Sequence, residues 1–320
     1  MSTLLPVPLR YDELNRYTQI IVDEALRRGV SVDVIDPRRG ELELSLGATR
    51  VRTLESLSEL TSAVAFRRCD HKGHTREVLV RAGLQVPAGR VATFDDADVA
   101  FLTEHRDLVV KPARGEQGWG ITVGVTDERE LATATEEARR VCAEVLLEQR
   151  CDGDDLRVIV IDDEVIAASV RRPPRIVGDG TSTVAGLIGV LSAAREAATA
   201  GASTIPLDAT TEAVVRAAGL QLDSVPDEGV EITVRRTANV HTGGTIEDVT
   251  DLLHDHVVDA ALAAARAIDI PVVGLDLIVP DLRGPDHVFI EANEQPGLAN
   301  HEPRPTVQRF VDLLLPSTRT

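Results

Sequence analysis

Apolar residues at helical spacing open the chain. Leu14, Tyr17, Ile20, Ile21 and Ala25 share one face if Tyr11–Arg28 is a helix. Short strand-like runs follow at Val30–Ile35, Glu41–Leu46 and Thr49–Thr53, punctuated by Pro37 and Gly40. A helix is predicted over His74–Ala82; Gly83 stops it and Pro87 blocks its continuation. Residues 90–150 then alternate: strand Arg90–Thr93, helix Asp95–His105, strand Leu108–Lys111, a glycine-rich loop, strand Ile121–Val125, helix Glu128–Cys142 and strand Glu144–Glu148. Leu156–Ile161 and Glu164–Val170 predict a hairpin turning at Asp162-Asp163.

Residues 173–229 break this rhythm. They are rich in Pro, Gly, Ala and Thr, carry two alanine-rich helical stretches, and read as an insertion rather than core. Beyond them come a strand at Glu231–Arg235, a Gly243-Gly244 turn and an amphipathic helix at His256–Ile268, with Val258, Leu262 and Ala265 on its apolar face. Strands Val272–Val279 and His287–Ala292 and a last helix, Thr306–Leu315, complete an α+β (mixed α/β) chain with mixed sheets.

Charge narrows the classes of function. Among 320 residues, 34 are Lys or Arg and 52 are Asp or Glu, a formal net charge of −18. Such a surface repels phosphate backbones and anionic lipids, which argues against nucleic-acid and membrane partners. No apolar run approaches the roughly 18–20 residues that span a bilayer. Met1-Ser2-Thr3-Leu4-Leu5-Pro6 lacks the basic start and apolar stretch of a signal peptide. Cys69, Cys142 and Cys151 form no CxxC and cannot all pair, so the expected setting is a reducing cytoplasm.

Only two of the basic residues are lysines, Lys72 and Lys111. A chain that otherwise uses arginine and keeps two ammonium groups points to sites where a compact charge does what a planar guanidinium cannot. Lys111 ends a predicted strand, and Gly115, Gln117, Gly118, Trp119 and Gly120 follow. Closely spaced glycines let backbone N–H groups approach an anion, although hairpin loops share the pattern. Trp119, the sole tryptophan, either plugs a core or lies on a flap over a nucleotide. Glu291 and Asn293, two apart on a strand, point to one face, toward where the Asp276 strand could run antiparallel. An acid within an apolar strand is costly unless it is paired with an arginine, caps a turn or binds metal. Two carboxylates and an amide oxygen suit Mg²⁺, with Mn²⁺ as the alternative. Arg171, Arg172 and Arg175 form either a carboxylate-binding cluster or an ion-paired surface patch, while His254 and His256 read as surface residues.

These motifs together resemble the ATP-grasp superfamily. The Lys111 strand with its glycine loop is similar to that family's second-lysine segment and phosphate-covering lid. His71-Lys72-Gly73-His74-Thr75 through Pro87 is similar to its first-lysine segment, with His71 where an aspartate usually stands. The resemblance implies a small N-terminal α/β domain (1–65), a central subdomain with the lid (66–147) and a C-terminal mixed-sheet subdomain (148–320). It implies an ATP site of Lys72, Lys111, Gly115, Gln117, Gly118, Gly120, Glu148, Gln149 and Asp155, with Glu148 and Asp155 on the ribose. Asp276, Glu291 and Asn293 would be the magnesium ligands. The run Val234–Thr245 resembles the ATP-grasp half of cyanophycin synthetases and, less closely, bifunctional glutathione synthetases. On that likeness Arg235 and Asn239 would face the transferred phosphoryl group. The tail Asn293–Pro303 resembles the ATP-grasp part of N-acetylglutaminylglutamine synthetases. Arg157, Arg171, Arg172 and His301 are the substrate-contact expectations.

The implied activity is ATP-dependent ligation of a carboxylate to an amine through an acyl phosphate, on amino acids or dipeptides of the glutamine or glutamate type. Those relatives carry an acetyltransferase-like or second ligase region that this chain lacks, so a narrower activity, or a separate acyltransferase partner, is expected; a homo-oligomer is also compatible. Two other readings stay open: a polymer-extending ligase like cyanophycin synthetase, and an ATP-binding partner subunit without turnover.

Overall fold

The computed structural model describes residues 6–115, 118–198, 203–236, 238 and 242–319. The chain divides into two compact units, one of residues 1–153, 157–168 and 250–320, the other of residues 154–156 and 169–249.

In the first unit, the N-terminal helix runs Arg16–Arg27 rather than from Tyr11. Asn15 is the reason: its side chain accepts the Thr18 N–H at 3.0 Å and caps the helix there, while Tyr11–Glu13 forms a separate 3₁₀ turn. Strands Ser31–Asp36, Glu41–Leu46, Thr49–Leu54 and Leu57–Ser58 follow as an antiparallel meander. Period-two alternation buries Leu42 and Leu44. That face shares one core with Ile21 of the helix, Ile159 and Ile161 of the hairpin, and Phe310 of the helix Thr306–Leu314.

Two helices stand where one was expected. Ser62 caps Ala63–Asp70, and Lys72–Arg81 follows after a break at His71, whose backbone is extended. The first was not predicted: it is only eight residues long and includes Arg67, Arg68 and Asp70. Next comes a four-stranded antiparallel sheet in the spatial order Gly89–Val91, Val145–Gln149, Leu108–Pro112, Thr122–Val125. Helices Asp96–His105 and Glu128–Val141, capped by Asp95 and Asp127, belong with it. Leu102, Leu108, Val110, Leu131, Val145 and Leu147 form its core.

The predicted hairpin comprises Asp154–Ile161 and Glu164–Arg172. Asp162 and Asp163 both take left-handed φ, 51° and 62°, as a two-residue primed turn requires. Strands Val272–Val279 and Val288–Asn293 pair antiparallel beside it. The helix Asp255–Ile268 buries Ala265 as expected, but its inner stripe is otherwise Val257, Ala261, Ala264 and Ile268, with Val258 and Leu262 half-buried.

The second unit has a core of its own, in which residues of the 173–229 stretch pack with Ile232 and Val234. Ile176, Val184, Ile188, Val215, Ile232 and Val234 pack together from strands Arg175–Val177 and Glu231–Thr233 and helices Val184–Ala198 and Ala209–Ala217. Thr245–Asp248 pairs with Ser169–Arg172. Among the described residues no helix is long and apolar enough to cross a membrane.

Because Phe310 is fully buried where the N-terminal helix, its sheet and the hairpin meet, Phe310→Ala should lower stability by about 3–5 kcal/mol. Equilibrium denaturation of the two proteins would measure it.

Candidate active site

Lys72 is the first residue of its helix, where the backbone dipole disfavours a cation, and its side chain is only 4% exposed. Two partners compensate. Its Nζ lies 2.9 Å from Glu291 Oε1 and donates to the Gly115 carbonyl at 2.8 Å. Lys111, on the strand Leu108–Pro112, is equally buried; its Nζ lies 2.7 Å from Glu148 Oε2 and 3.3 Å from the Ile290 carbonyl oxygen. Val109 lies opposite Glu148 and Lys111 opposite Leu146, so Lys111 and Glu148 are diagonal neighbours on one sheet face. Arg76 reaches within 4.0 Å of the same carboxylate.

The two lysines thus meet consecutive residues, Ile290 and Glu291, of one strand. A bulge makes this possible. Asp276 pairs with Glu291 but Leu277 pairs with Phe289, leaving Ile290 as the extra residue, and the Ile290 carbonyl accepts from Lys111.

Asp276 and Glu291 are direct cross-strand partners, and Gly274 lies opposite Asn293, so the three expected oxygen donors share one sheet face. Arg157, expected to touch substrate, is instead locked onto Asp276: its Nε bonds Oδ1, and its Nη2 donates to Oδ2 at 2.8 Å. Asn293 Nδ2 donates to Asp276 Oδ2 at 3.3 Å and to the Gly274 carbonyl at 3.4 Å. Gly274 leaves room for this crossing, since a Cβ there would sit 3.1 Å from Arg157 Nη1 and 2.9 Å from Pro296 Cβ. Among the described residues no three His, Cys, Asp or Glu side chains gather as a metal site. The trio here is two acids and an amide.

Gly115, Gly118 and Gly120 all adopt positive φ, 133°, 78° and 72°, which only glycine takes without strain. Trp119 is 71% exposed, so it is not a core plug. Gln149 also has an exposed side chain, while its backbone N–H bonds the Ala88 carbonyl at 2.8 Å. Gln117 and Asn239 lie outside the described residues. Burial, reinforced by the Glu294 and Glu291 carboxylates, pushes the Cys69 thiol up to about 12, so it stays neutral. His301 is buried in the 3₁₀ turn Leu298–His301, whose Asn300 accepts from the Tyr17 hydroxyl at 3.1 Å.

Within the second unit, Asp155 pairs with Arg171 at 2.7 Å and Asp154 with Arg172 at 3.2 Å; Arg172 also meets Glu247, and Arg175 meets Glu231. All three arginines of the cluster thus have acidic partners. Arg235 donates to Asp208 Oδ1 at 2.8 Å and Thr211 Oγ1 at 3.0 Å, bracing the cap of the helix Ala209–Ala217.

Sequence reading missed the pairing roles of Arg76, Arg157 and Gly274. A glycine two residues before the strand aspartate was the available signal for Gly274. The Ile290 carbonyl left no signal, because backbone atoms carry no residue identity.

Residues 69–175 match the RimK-like ATP-grasp domain. The chain is 31% identical over 318 residues to a cyanophycin synthetase of Nostoc sp., covering 95% of itself and 35% of that protein. It is 29% identical to a glutathione biosynthesis bifunctional protein of Mannheimia succiniciproducens, covering 91% of itself and 40% of the relative. The crystal structure of a bifunctional glutathione synthetase from Pasteurella multocida superimposes with a TM-score of 0.69 at 27% identity, over 96% of this chain and 44% of that one. The chain thus spans about two fifths or less of the curated relatives it matches. It carries a RimK-like ATP-grasp domain in a mixed α+β ATP-grasp fold, homologous to the ATP-grasp parts of cyanophycin synthetases and bifunctional glutathione-biosynthesis proteins.

Proposed function

We propose that the protein is an ATP-dependent carboxylate–amine ligase. The observation that carries this reading is the convergence of its only two lysines, both buried, on adjacent residues of the strand that bears Glu291 and Asn293. A buried ion pair is a poor device for stability, because desolvation cancels most of its Coulomb gain. Two such pairs in a chain otherwise lacking lysine are better explained by a ligand whose oxygens take over the ammonium groups.

In this reading Lys72 and Lys111 bind triphosphate oxygens, releasing Glu291 and Glu148. Gly115, Gln117, Gly118 and Gly120 cover the phosphates and exclude water. Glu148, Gln149 and Asp155 address the adenosine end. The residues present fit magnesium: two carboxylates placed directly opposite each other require a cation between them, and an amide stands beside them. Asp276, Glu291 and Asn293 would hold the ion, which neutralises phosphate oxygens when bound. Lys72 and Arg157 neutralise the same two acids in this structure.

The substrate carboxylate oxygen attacks the γ-phosphorus and ADP leaves; the amine nitrogen then attacks the acyl carbon, phosphate leaves and the nitrogen loses a proton. Arg235 and Asn239 are assigned to the developing charge, and His301, Arg171 and Arg172 to substrate. The likeness of the tail to N-acetylglutaminylglutamine synthetases favours amino-acid or dipeptide substrates of the glutamine or glutamate type. A polymer primer, as for cyanophycin synthetase, is the second substrate class to test, because the 31% identity spans nearly the whole chain.

Phosphate release with ATP, Mg²⁺ and a panel of amino acids, N-acyl dipeptides and oligomeric primers tests the reading. Release only with a matched acid and amine is expected; ATP binding with no release under any pairing would make the protein a regulatory subunit instead. Lys111→Arg and Lys72→Arg should each cut turnover by about a hundredfold or more although charge is kept. Emission from Trp119, the sole tryptophan, should change saturably with Mg²⁺-ATP, and an unresponsive signal would count against the glycine loop as a lid. Gly274→Ala, which crowds Arg157, should cost about 1–3 kcal/mol in denaturation and weaken Mg²⁺-dependent ATP binding.

A further inference from the structure

His71 ends one helix and caps the next. Its ring Nδ1 accepts the His74 N–H at 3.4 Å at the start of the helix whose first residue is Lys72. Its Nε2 lies 3.4 Å from Glu144 Oε1. The imidazole is buried, stacks on the His74 ring at 4.1 Å, and fits over Gly73, where a Cβ would stand 3.2 Å from Nδ1 and 3.1 Å from Cε1.

These contacts close a circuit through both lysine segments. The Glu144 carbonyl accepts the Ala113 N–H at 2.9 Å, and the Ala113 carbonyl accepts the Lys72 N–H at 2.9 Å. Ala113 follows the Lys111 strand directly. Beside the circuit, Arg114 pairs with Asp70 at 3.3 Å across the same two segments. His71 and Glu144 therefore tie the Lys72 helix to the end of the Lys111 strand and the start of the glycine loop.

We propose that His71 is a positioning residue for Lys72, holding it through a neutral imidazole that accepts at Nδ1 and turns its Nε2–H toward Glu144, and that protonating this ring weakens nucleotide binding. The inference rests on Lys72 being a phosphate ligand. Its chemistry is direct: a proton on Nδ1 would set one donor against another, the His74 N–H, and remove the cap. Burial foremost, and then the His74 ring, push His71 below its ordinary imidazole value; Glu144 opposes, and Arg114 adds to the fall, with Asp70 held by Arg114. The helix N-terminus also disfavours a cation there. A lowered imidazole value means that the folded protein resists a proton which the unfolded chain accepts. The folded ring therefore keeps the cap through the ordinary imidazole range and loses it only as the pH falls through its own lowered value, while the stability it contributes begins to fall once the unfolded chain takes up the proton, below about pH 6.5.

Two measurements on the full chain test this. In the nucleotide-free protein, ¹⁵N NMR of the imidazoles near neutral pH should show His71 as the Nε2–H tautomer, titrating below about pH 6.5; an Nδ1–H tautomer would overturn the cap. Mg²⁺-ATP affinity is then measured at about pH 7.5 and at a pH below the His71 midpoint found by NMR, for the unaltered chain, His71→Asn and His71→Ala. Asn can cap but does not titrate, so each variant is compared with itself at the two pH values. The unaltered chain should lose about fivefold more affinity on acidification than His71→Asn, and His71→Ala should be weak at both. Equal losses in the unaltered chain and His71→Asn would overturn the proposal, since every other acid-sensitive group of the protein and the nucleotide is present in both. Absence of ATP binding by the unaltered chain even at the higher pH would instead sink the nucleotide reading, leaving the tautomer to decide the cap.

Discussion

Two buried ammonium groups are the constraint around which the first unit is built. Each must be met by an oxygen anion, because an isolated charge taken out of water costs far more than any single contact returns. Glu291 answers Lys72 and Glu148 answers Lys111. To bring these partners together, a helix must begin at Lys72, a strand must end just past Lys111, and a bulge must turn the Ile290 carbonyl toward the second lysine.

The same logic governs the carboxylates. Asp276 and Glu291 face each other across two antiparallel strands, an arrangement that repels unless cations join it. Lys72 and Arg157 supply them from separate segments. The site thus carries matched acids and bases that satisfy one another, as buried charges in a low-dielectric setting must.

Glycines make the crowding possible at particular points. Gly274 admits the Arg157 guanidinium, Gly73 admits the His71 ring, and Gly153, at φ 150°, lets its backbone pass where a Cβ would meet the Val279 carbonyl oxygen at 2.5 Å. Gly274 and Gly73 thus stand beside a charged and a ring-bearing side chain, and Gly153 beside the backbone of Val279.

What the sequence alone determined was local. Period-two and helical spacing located most elements, the Asp162-Asp163 turn among them, and the scarcity of lysine with the spacing of Glu291 and Asn293 marked the residues that converge. Local pattern failed where the deciding interaction was distant or silent in composition. The helix Ala63–Asp70 is only two turns long, the helix Asp255–Ile268 turns Val257 and Ile268 inward rather than Val258 and Leu262, and residues of 173–229 share a core with Ile232 and Val234. Only the tertiary structure could assign Arg157 to Asp276, 119 residues away, since an arginine's charge is visible in sequence but its partner is not. The bulge at Ile290 and the cap at His71 were likewise decided in three dimensions, because both depend on where backbone N–H and carbonyl groups point, and those groups are the same in every residue but proline.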